Sequence, residues 1–231
     1  MHTTAAITGN FVHSWGGRLL TAALVLSGGF AAQAQQVAPN MHELAQRVDK
    51  HYNQLHSLKA SFTESYAGMG RRRTESGTLL LAKPGRMRWD YSQPAGKLFI
   101  LDGKYAWFYT HGSGQAQRIP AKEMDDLRSP LRFLLGHTQV EKELVNLHLT
   151  AGPNGAYTLT GQPKGQEQRI PRLSLTVTAG GTILAIEGEE SDGSTTRFTF
   201  GGEQVNAPAP SELFRFTPPP GVKILDALPP L

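Results

Sequence analysis

Arg86-Met87-Arg88-Trp89-Asp90-Tyr91-Ser92 alternates large apolar and polar side chains without a break. A period of two is the mark of a strand with one covered and one wet face. The neighbouring runs are less one-sided. Leu79-Leu80-Leu81 and Leu98-Phe99-Ile100-Leu101 are apolar at successive positions, and Trp107-Phe108-Tyr109 is aromatic throughout. Successive apolar residues on a strand point to opposite faces, so this part of the sheet must be covered on its second side as well.

The same period runs on through Phe62/Glu64/Tyr66, Tyr105–Tyr109, Val145/Leu147/Leu149, Tyr157/Leu159, Leu173/Leu175/Val177, Ile183–Ile186 and Phe198/Phe200. Turn signals separate these segments: Lys83-Pro84-Gly85, Gln93-Pro94-Ala95-Gly96, Asp102-Gly103, Pro153-Asn154-Gly155, Gly180-Gly181 and Asp192-Gly193. The pattern predicts one antiparallel meander of about ten or eleven strands. Ahead of it, Met41, Leu44, Val48, Tyr52, Leu55 and Leu58 recur every three or four residues after Pro39-Asn40, which predicts an amphipathic helix. Residues 121–136 interrupt the strands. Met124 and Leu127, then Leu131, Leu134 and Leu135 before Gly136, sit at helical spacing, so two short helices are expected to cover one face as a lid.

The chain has 231 residues, 25 Gly, 15 Pro and no Cys. The absence of Cys excludes a disulfide framework, thiol catalysis and Cys-ligated metal. A net charge of +4 is too small to argue for nucleic acid as a partner. Arg18 followed by the apolar run Leu19–Leu26 and then Ala32-Gln33-Ala34 has the form of a cleavable export signal over residues 1–34. The run is shorter than the about 20 residues a membrane span needs. Residues 35–231 are therefore expected to be a single exported domain, periplasmic or secreted.

Catalytic patterns are lacking: there is no Gly-x-Ser-x-Gly, no His-Glu-x-x-His and no Gly-x-x-x-x-Gly-Lys. Neither a catalytic residue, nor a metal site, nor a cofactor is expected. Gly68-Met69-Gly70 lies in a hairpin rather than between strand and helix, the wrong context for a phosphate loop. His51 and His56 are five apart and do not share a helix face, so they read as solvated residues, as do the adjacent acids Asp125-Asp126 and Glu189-Glu190. Arg71-Arg72-Arg73 falls at the hairpin tip, either as a solubilising turn or as a patch for anionic headgroups or an acidic partner.

Five stretches taken together resemble the periplasmic outer-membrane lipoprotein carrier family, LolA. They are Leu58–Glu64, Gly77–Leu80, Lys83-Pro84-Gly85-Arg86-Met87-Arg88-Trp89, Asp102–Lys104 with Trp107-Phe108-Tyr109, and Phe214-Arg215-Phe216-Thr217-Pro218-Pro219-Pro220-Gly221-Val222. The resemblance implies a mainly β fold: a strongly curved antiparallel sheet forming an incomplete β-barrel, with a helical lid and the N-terminal helix over a hydrophobic cavity. It implies a periplasmic, monomeric, non-enzymatic carrier that takes lipoprotein acyl chains from an inner-membrane lipoprotein-releasing transporter to an outer-membrane acceptor. Phe62, Leu80, Met87, Trp89, Leu98, Ile100 and Trp107 are the candidate cavity wall, and Leu131, Leu134 and Leu135 the candidate lid. Where the family has a lid-latching Arg before the Pro of its motif, this chain has Lys83, either a candidate latch that is a point donor without the planar fork or an exposed turn residue beside Pro84. A shuttle for another lipid or glycolipid, and a partner-binding domain with a filled core, are the alternative readings.

Overall fold

Asn40 opens the first helix. Its side chain accepts from the Glu43 N–H at 2.9 Å, and the Glu43 carboxylate accepts from the Asn40 N–H at 3.4 Å, a reciprocal capping box. From there α1 (Met41–Gln54) buries Leu44, Ala45, Val48 and Tyr52 on one stripe. It stops at Leu55, which is already extended, so Leu58 of the expected helical stripe belongs to the following strand. These residues are part of a computed structural model that describes residues 38–122, 132–135 and 139–226. The expected export signal at 1–34, and Met124, Leu127 and the acidic pair at 125–126, lie outside the described residues.

Twelve strands follow: β1 (Ser57–Gly68), β2 (Arg71–Ala82), β3 (Arg86–Gln93), β4 (Lys97–Leu101), β5 (Tyr105–Thr110), β6 (Gln115–Pro120), β7 (Leu144–Ala151), β8 (Ala156–Pro163), β9 (Arg172–Thr178), β10 (Ile183–Glu189), β11 (Thr195–Val205) and β12 (Lys223–Asp226). Two meanders, β1–β6 and β7–β11, are joined by antiparallel pairing of β1 with β11, where Phe62 faces Phe200. Between the meanders the described residues include two short helices, α2 (Arg132–Leu135) and α3 (Val140–Glu143).

The strongly curved, incomplete barrel implied by the resemblance is overturned by the strand order. The sheet is open and ends in β12 on one side and β7 on the other. Barrel closure needs edge strands to exchange hydrogen bonds. Here the four-residue β12 lies parallel on β6, fastened by the Lys223 N–H to the Gly114 carbonyl (3.0 Å) and by Arg118 to Asp226 (2.7 Å). Neither β6 nor β12 pairs with β7, and the link between β6 and β7 carries the two helices instead. Strands β6 and β12, absent from the sequence reading, have no clean apolar alternation.

The two faces are covered differently. Phe62, Leu79, Leu81, Met87 and Trp89 face α1 and α2 in one buried cluster with Leu159, Leu175 and Ile186. The opposite face of β3–β5 is covered by the chain after β11. Phe214 is buried there beneath the Arg86 guanidinium (5.5 Å), Arg88 donates to the Leu213 carbonyl at 3.0 Å, and Phe216 packs on Trp107 and Tyr109 at 5.2 and 5.4 Å. The Phe214-Arg215-Phe216 stretch is thus a strap over the back of the sheet.

The β9–β10 turn touches α1 so closely that a Cβ on Gly181 would sit 2.5 Å from the Arg47 carbonyl carbon and 2.7 Å from the Val48 nitrogen. Gly181 also has φ +94°, which L side chains rarely adopt. Gly181→Ala is expected to destabilise by about 2 kcal/mol or more in urea unfolding, since helix backbone must move. Gly85→Ala, at φ +58° with open space around it, should cost only about 1–2 kcal/mol.

Candidate functional site

Aromatic side chains form the centre of the helix-covered face. Phe62 meets Trp89 edge-on at 4.4 Å and Tyr91 at 5.1 Å, and Trp89 meets Phe198 at 5.6 Å. Tyr52 of α1 and Phe133 and Leu134 of α2 are buried in the same cluster. The protein's own helices therefore occupy this face. A cavity of about 160 Å³ lies at one end, lined by Ile170, Gly188, Thr196 and Phe198 with Gln166, Arg169 and Glu190. Ligand pockets commonly enclose about 300–1,000 Å³. The Trp89 indole Nε1 is buried and has no hydrogen-bond partner among the described residues. An unmet donor of this kind costs about 1–3 kcal/mol, which makes Trp89 a poor choice for packing alone.

The seven candidate wall residues divide between the two faces. Phe62, Met87 and Trp89 face the helices. Register puts Leu80 opposite Arg88, Arg88 opposite Ile100, Ile100 opposite Trp107, and Leu98 opposite Tyr109, so Leu80, Leu98, Ile100 and Trp107 share the strap-covered face. There Trp107 donates its indole N–H to Asp102 at 2.9 Å. Of the candidate lid residues, Leu134 is buried under α1, Leu135 belongs to α2, and Leu131 lies outside the described residues.

Lys83 reaches α1. Its ammonium donates to the carbonyls of Tyr52 (2.5 Å) and Asn53 (3.1 Å) in the last turn of the helix. Both carbonyls lie at the negative end of the helix dipole, where a cation is favoured. Partial burial pushes the Lys83 ammonium below the usual lysine range. Its stem lines a small cleft with Leu55, Leu58, Leu81 and Leu134, where α1, β2 and α2 meet.

Further polar contacts hold the helix, among them Arg47 donating to the Ala179 carbonyl at 2.8 Å. The Tyr52 hydroxyl donates to Glu203 at 2.9 Å and accepts from the Ile183 N–H at 2.9 Å. His51 lies 2.6 Å from the other Glu203 oxygen, so it is a half-buried partner rather than the solvated residue expected. The Asp49 carboxylate accepts from the Val140 N–H at 3.0 Å, tying α1 to the first turn of α3. Sequence reasoning missed Glu203 and Asp49, because a lone acid in a strand or a helix carries no pattern.

A charged cluster lies on the same face towards the β1–β2 tip. Glu75, only 5% exposed, pairs with Lys97 and, at 3.4 Å, with Arg73, which also reaches Glu64 at 3.4 Å. Lys97 sits 4.3 Å over the Tyr91 ring. Burial, with the Glu75 charge beside it, raises the Glu64 carboxyl above the usual carboxylate range. Among the described residues no group of three or more His, Asp and Glu is placed to hold a metal ion.

Comparison with known proteins shows the family of this chain. The model of the outer membrane lipoprotein carrier protein LolA matches residues 53–217, and the chain belongs to that family. An outer-membrane lipoprotein carrier protein of Nitrosospira multiformis is 30% identical over 173 residues, covering 73% of this chain and 82% of the relative. Another, from Chromobacterium violaceum, is 28% identical over 208 residues, covering 90% and 96%. Among solved structures, an uncharacterized conserved protein of Thermus thermophilus superposes with a TM-score of 0.50 at 15% identity, covering 80% of this chain and 98% of its own, a likeness of fold. The protein is periplasmic, as its family is.

Because the Glu64 pKa is raised in the fold, the native state binds more protons than the unfolded chain just above the unfolded pKa of about 4.3. The stability linked to this group is therefore greatest in acid and falls as pH rises through the window between the two pKa values. Glu64→Gln is expected to be more stable than the parent at pH 7, by up to about 1 kcal/mol. The advantage should vanish below about pH 4 when midpoints are compared across pH.

Proposed function

We propose that this protein sequesters the acyl chains of lipoproteins against the Phe62–Met87–Trp89 face and shuttles them across the periplasm. In this reading the export segment at 1–34 is removed and residues 35–231 work as a monomeric carrier without catalysis or cofactor. Cargo comes from an inner-membrane lipoprotein-releasing transporter and goes to an outer-membrane acceptor. The observation that carries the reading is the filling of that face by α1 and α2, fastened at the α1 terminus by Lys83.

A carrier has to release what it binds. Each buried methylene contributes about 0.8 kcal/mol, so one fully sequestered chain of ordinary length is worth on the order of ten kcal/mol. Binding of that strength would outlast delivery unless something competed for the same surface. Here Leu44, Val48, Tyr52, Phe133 and Leu134 are the competitors: cargo enters only as they leave, and their return drives it out. Net affinity is then the difference between two burials of similar size. Hydrogen bonds from Lys83 set the balance by stabilising the stoppered state, and Leu134 moves with the helices as part of the lid.

Lys83→Leu removes two charge-assisted hydrogen bonds from the stoppered state only. With a net worth of about 1–2 kcal/mol, their loss is expected to tighten binding of a fluorescent acyl probe about five- to thirtyfold and to speed hydrogen exchange in the last turn of α1. Lys83→Arg should keep both near the parent values. Met87→Glu should weaken the probe at least about tenfold, by placing a carboxylate on an apolar face. Circular dichroism shows whether that variant is folded, and Met87→Gln provides a milder version. Equal probe binding by the parent and every variant would rule out this face as the acyl site.

A further inference from the structure

The β1–β2 hairpin closes through Met69 and Gly70, with Gly68 paired to Arg71. Both loop residues have positive φ, +48° at Met69 and +71° at Gly70. A two-residue loop of this shape ordinarily takes Asn-Gly or Asp-Gly, since a long side chain with positive φ is strained. Met69 gains no packing in exchange, for it is 81% exposed, the most exposed large apolar residue described. Arg71 and Arg72 follow it, both exposed, and among the described residues neither guanidinium is within ion-pair reach of a carboxylate. Arg73, next along, is by contrast tied to Glu64 and Glu75. The neighbouring β10–β11 turn presents Asp192, whose carboxylate accepts from the Ser194 N–H at 2.8 Å.

We propose that this tip docks the protein on an anionic lipid bilayer, with Met69 entering the headgroup layer and Arg71 and Arg72 meeting lipid phosphates. An apolar prong flanked by unpaired cations suits such a surface, which attracts cations electrostatically and accepts a shallow apolar side chain. The position adds to the argument. Tyr66 pairs with Thr196, which lines the cavity on the helix-covered face. At about 3.4 Å per residue the tip stands only about 10 Å beyond that cavity. Docking through the tip would hold the cavity end of the sheet against the lipid. With two cations and one Met the contact is weak and reversible, as a soluble carrier requires. This inference concerns the surface that meets a membrane and does not rest on which cargo the inner face holds.

The test is co-flotation of protein purified from the periplasmic fraction with vesicles of phosphatidylglycerol mixed with phosphatidylcholine, or of phosphatidylcholine alone. Wild type is expected to float with the mixed vesicles and to lose that association as salt is raised. Each cation near an anionic surface contributes about a fivefold factor, so Arg71→Ser with Arg72→Ser should lower partitioning about 25-fold. Met69→Asn, which suits positive φ, should lower it about tenfold, and Met69→Leu should retain it. Lys59→Ser with Lys142→Ser removes the same charge elsewhere and should change little. Acyl-probe binding without vesicles should be unaltered in all the tip variants, which separates failure here from failure of the carrier reading. The proposal is overturned if wild type does not float, or floats equally with phosphatidylcholine alone. It is also overturned if the tip variants float like wild type, in which case the tip meets a protein partner or only water.

Discussion

Tyr52 is wholly buried under the sheet, with its hydroxyl shared between the Glu203 carboxylate and the Ile183 backbone N–H. Burial and the Glu203 charge push that hydroxyl far above the ordinary phenol range, so it remains a donor throughout physiological pH. One side chain therefore joins α1 to both β10 and β11. The rest of the inner face depends on this contact. Without α1 in place, Phe62, Leu79, Leu81, Met87, Trp89 and Phe198 would lie open along one side of a broad sheet. An apolar patch of that extent is rare on a free monomer.

The two covers of the sheet differ in how they are held. Behind the sheet, Phe214 and Phe216 pack on residues whose polar atoms are already met, as in the Trp107–Asp102 hydrogen bond, and Arg86 and Arg88 lie over the strap. On the inner face the helices rest on apolar surface, and α1 is also held by polar contacts along its length: Arg47 to the Ala179 carbonyl, Asp49 to the Val140 N–H, His51 and Tyr52 to Glu203, and Lys83 to the carbonyls of Tyr52 and Asn53. The strap, by contrast, is held chiefly by ring packing and by the Arg88 hydrogen bond to the Leu213 carbonyl.

The period of two in Arg86–Ser92, the apolar runs at Leu79–Leu81 and Leu98–Leu101, the helical stripe from Met41 and the turn signals were all legible in the chain. They were enough for a mainly β fold, an amphipathic helix and a sheet covered on both sides, and the quoted motifs were enough for the family. Each is a local property: strand and helix periods are imposed by backbone geometry within a few residues. Which face Leu80, Ile100 and Trp107 take was not legible, because a run that is apolar at every position has no alternation to read. Nor was the open sheet, whose ends are settled by the parallel seating of β12 on β6 and by the helices between β6 and β7. The partners of Lys83, Asp49 and Tyr52 lay beyond the sequence for the same reason. Tyr52 and Glu203 are 151 positions apart and meet only because β1 pairs with β11. Long-range pairing of that kind leaves no period in a chain, so the family, the elements and the β1–β2 hairpin tip came from sequence, while the faces and the fastenings of α1 were decided by tertiary structure.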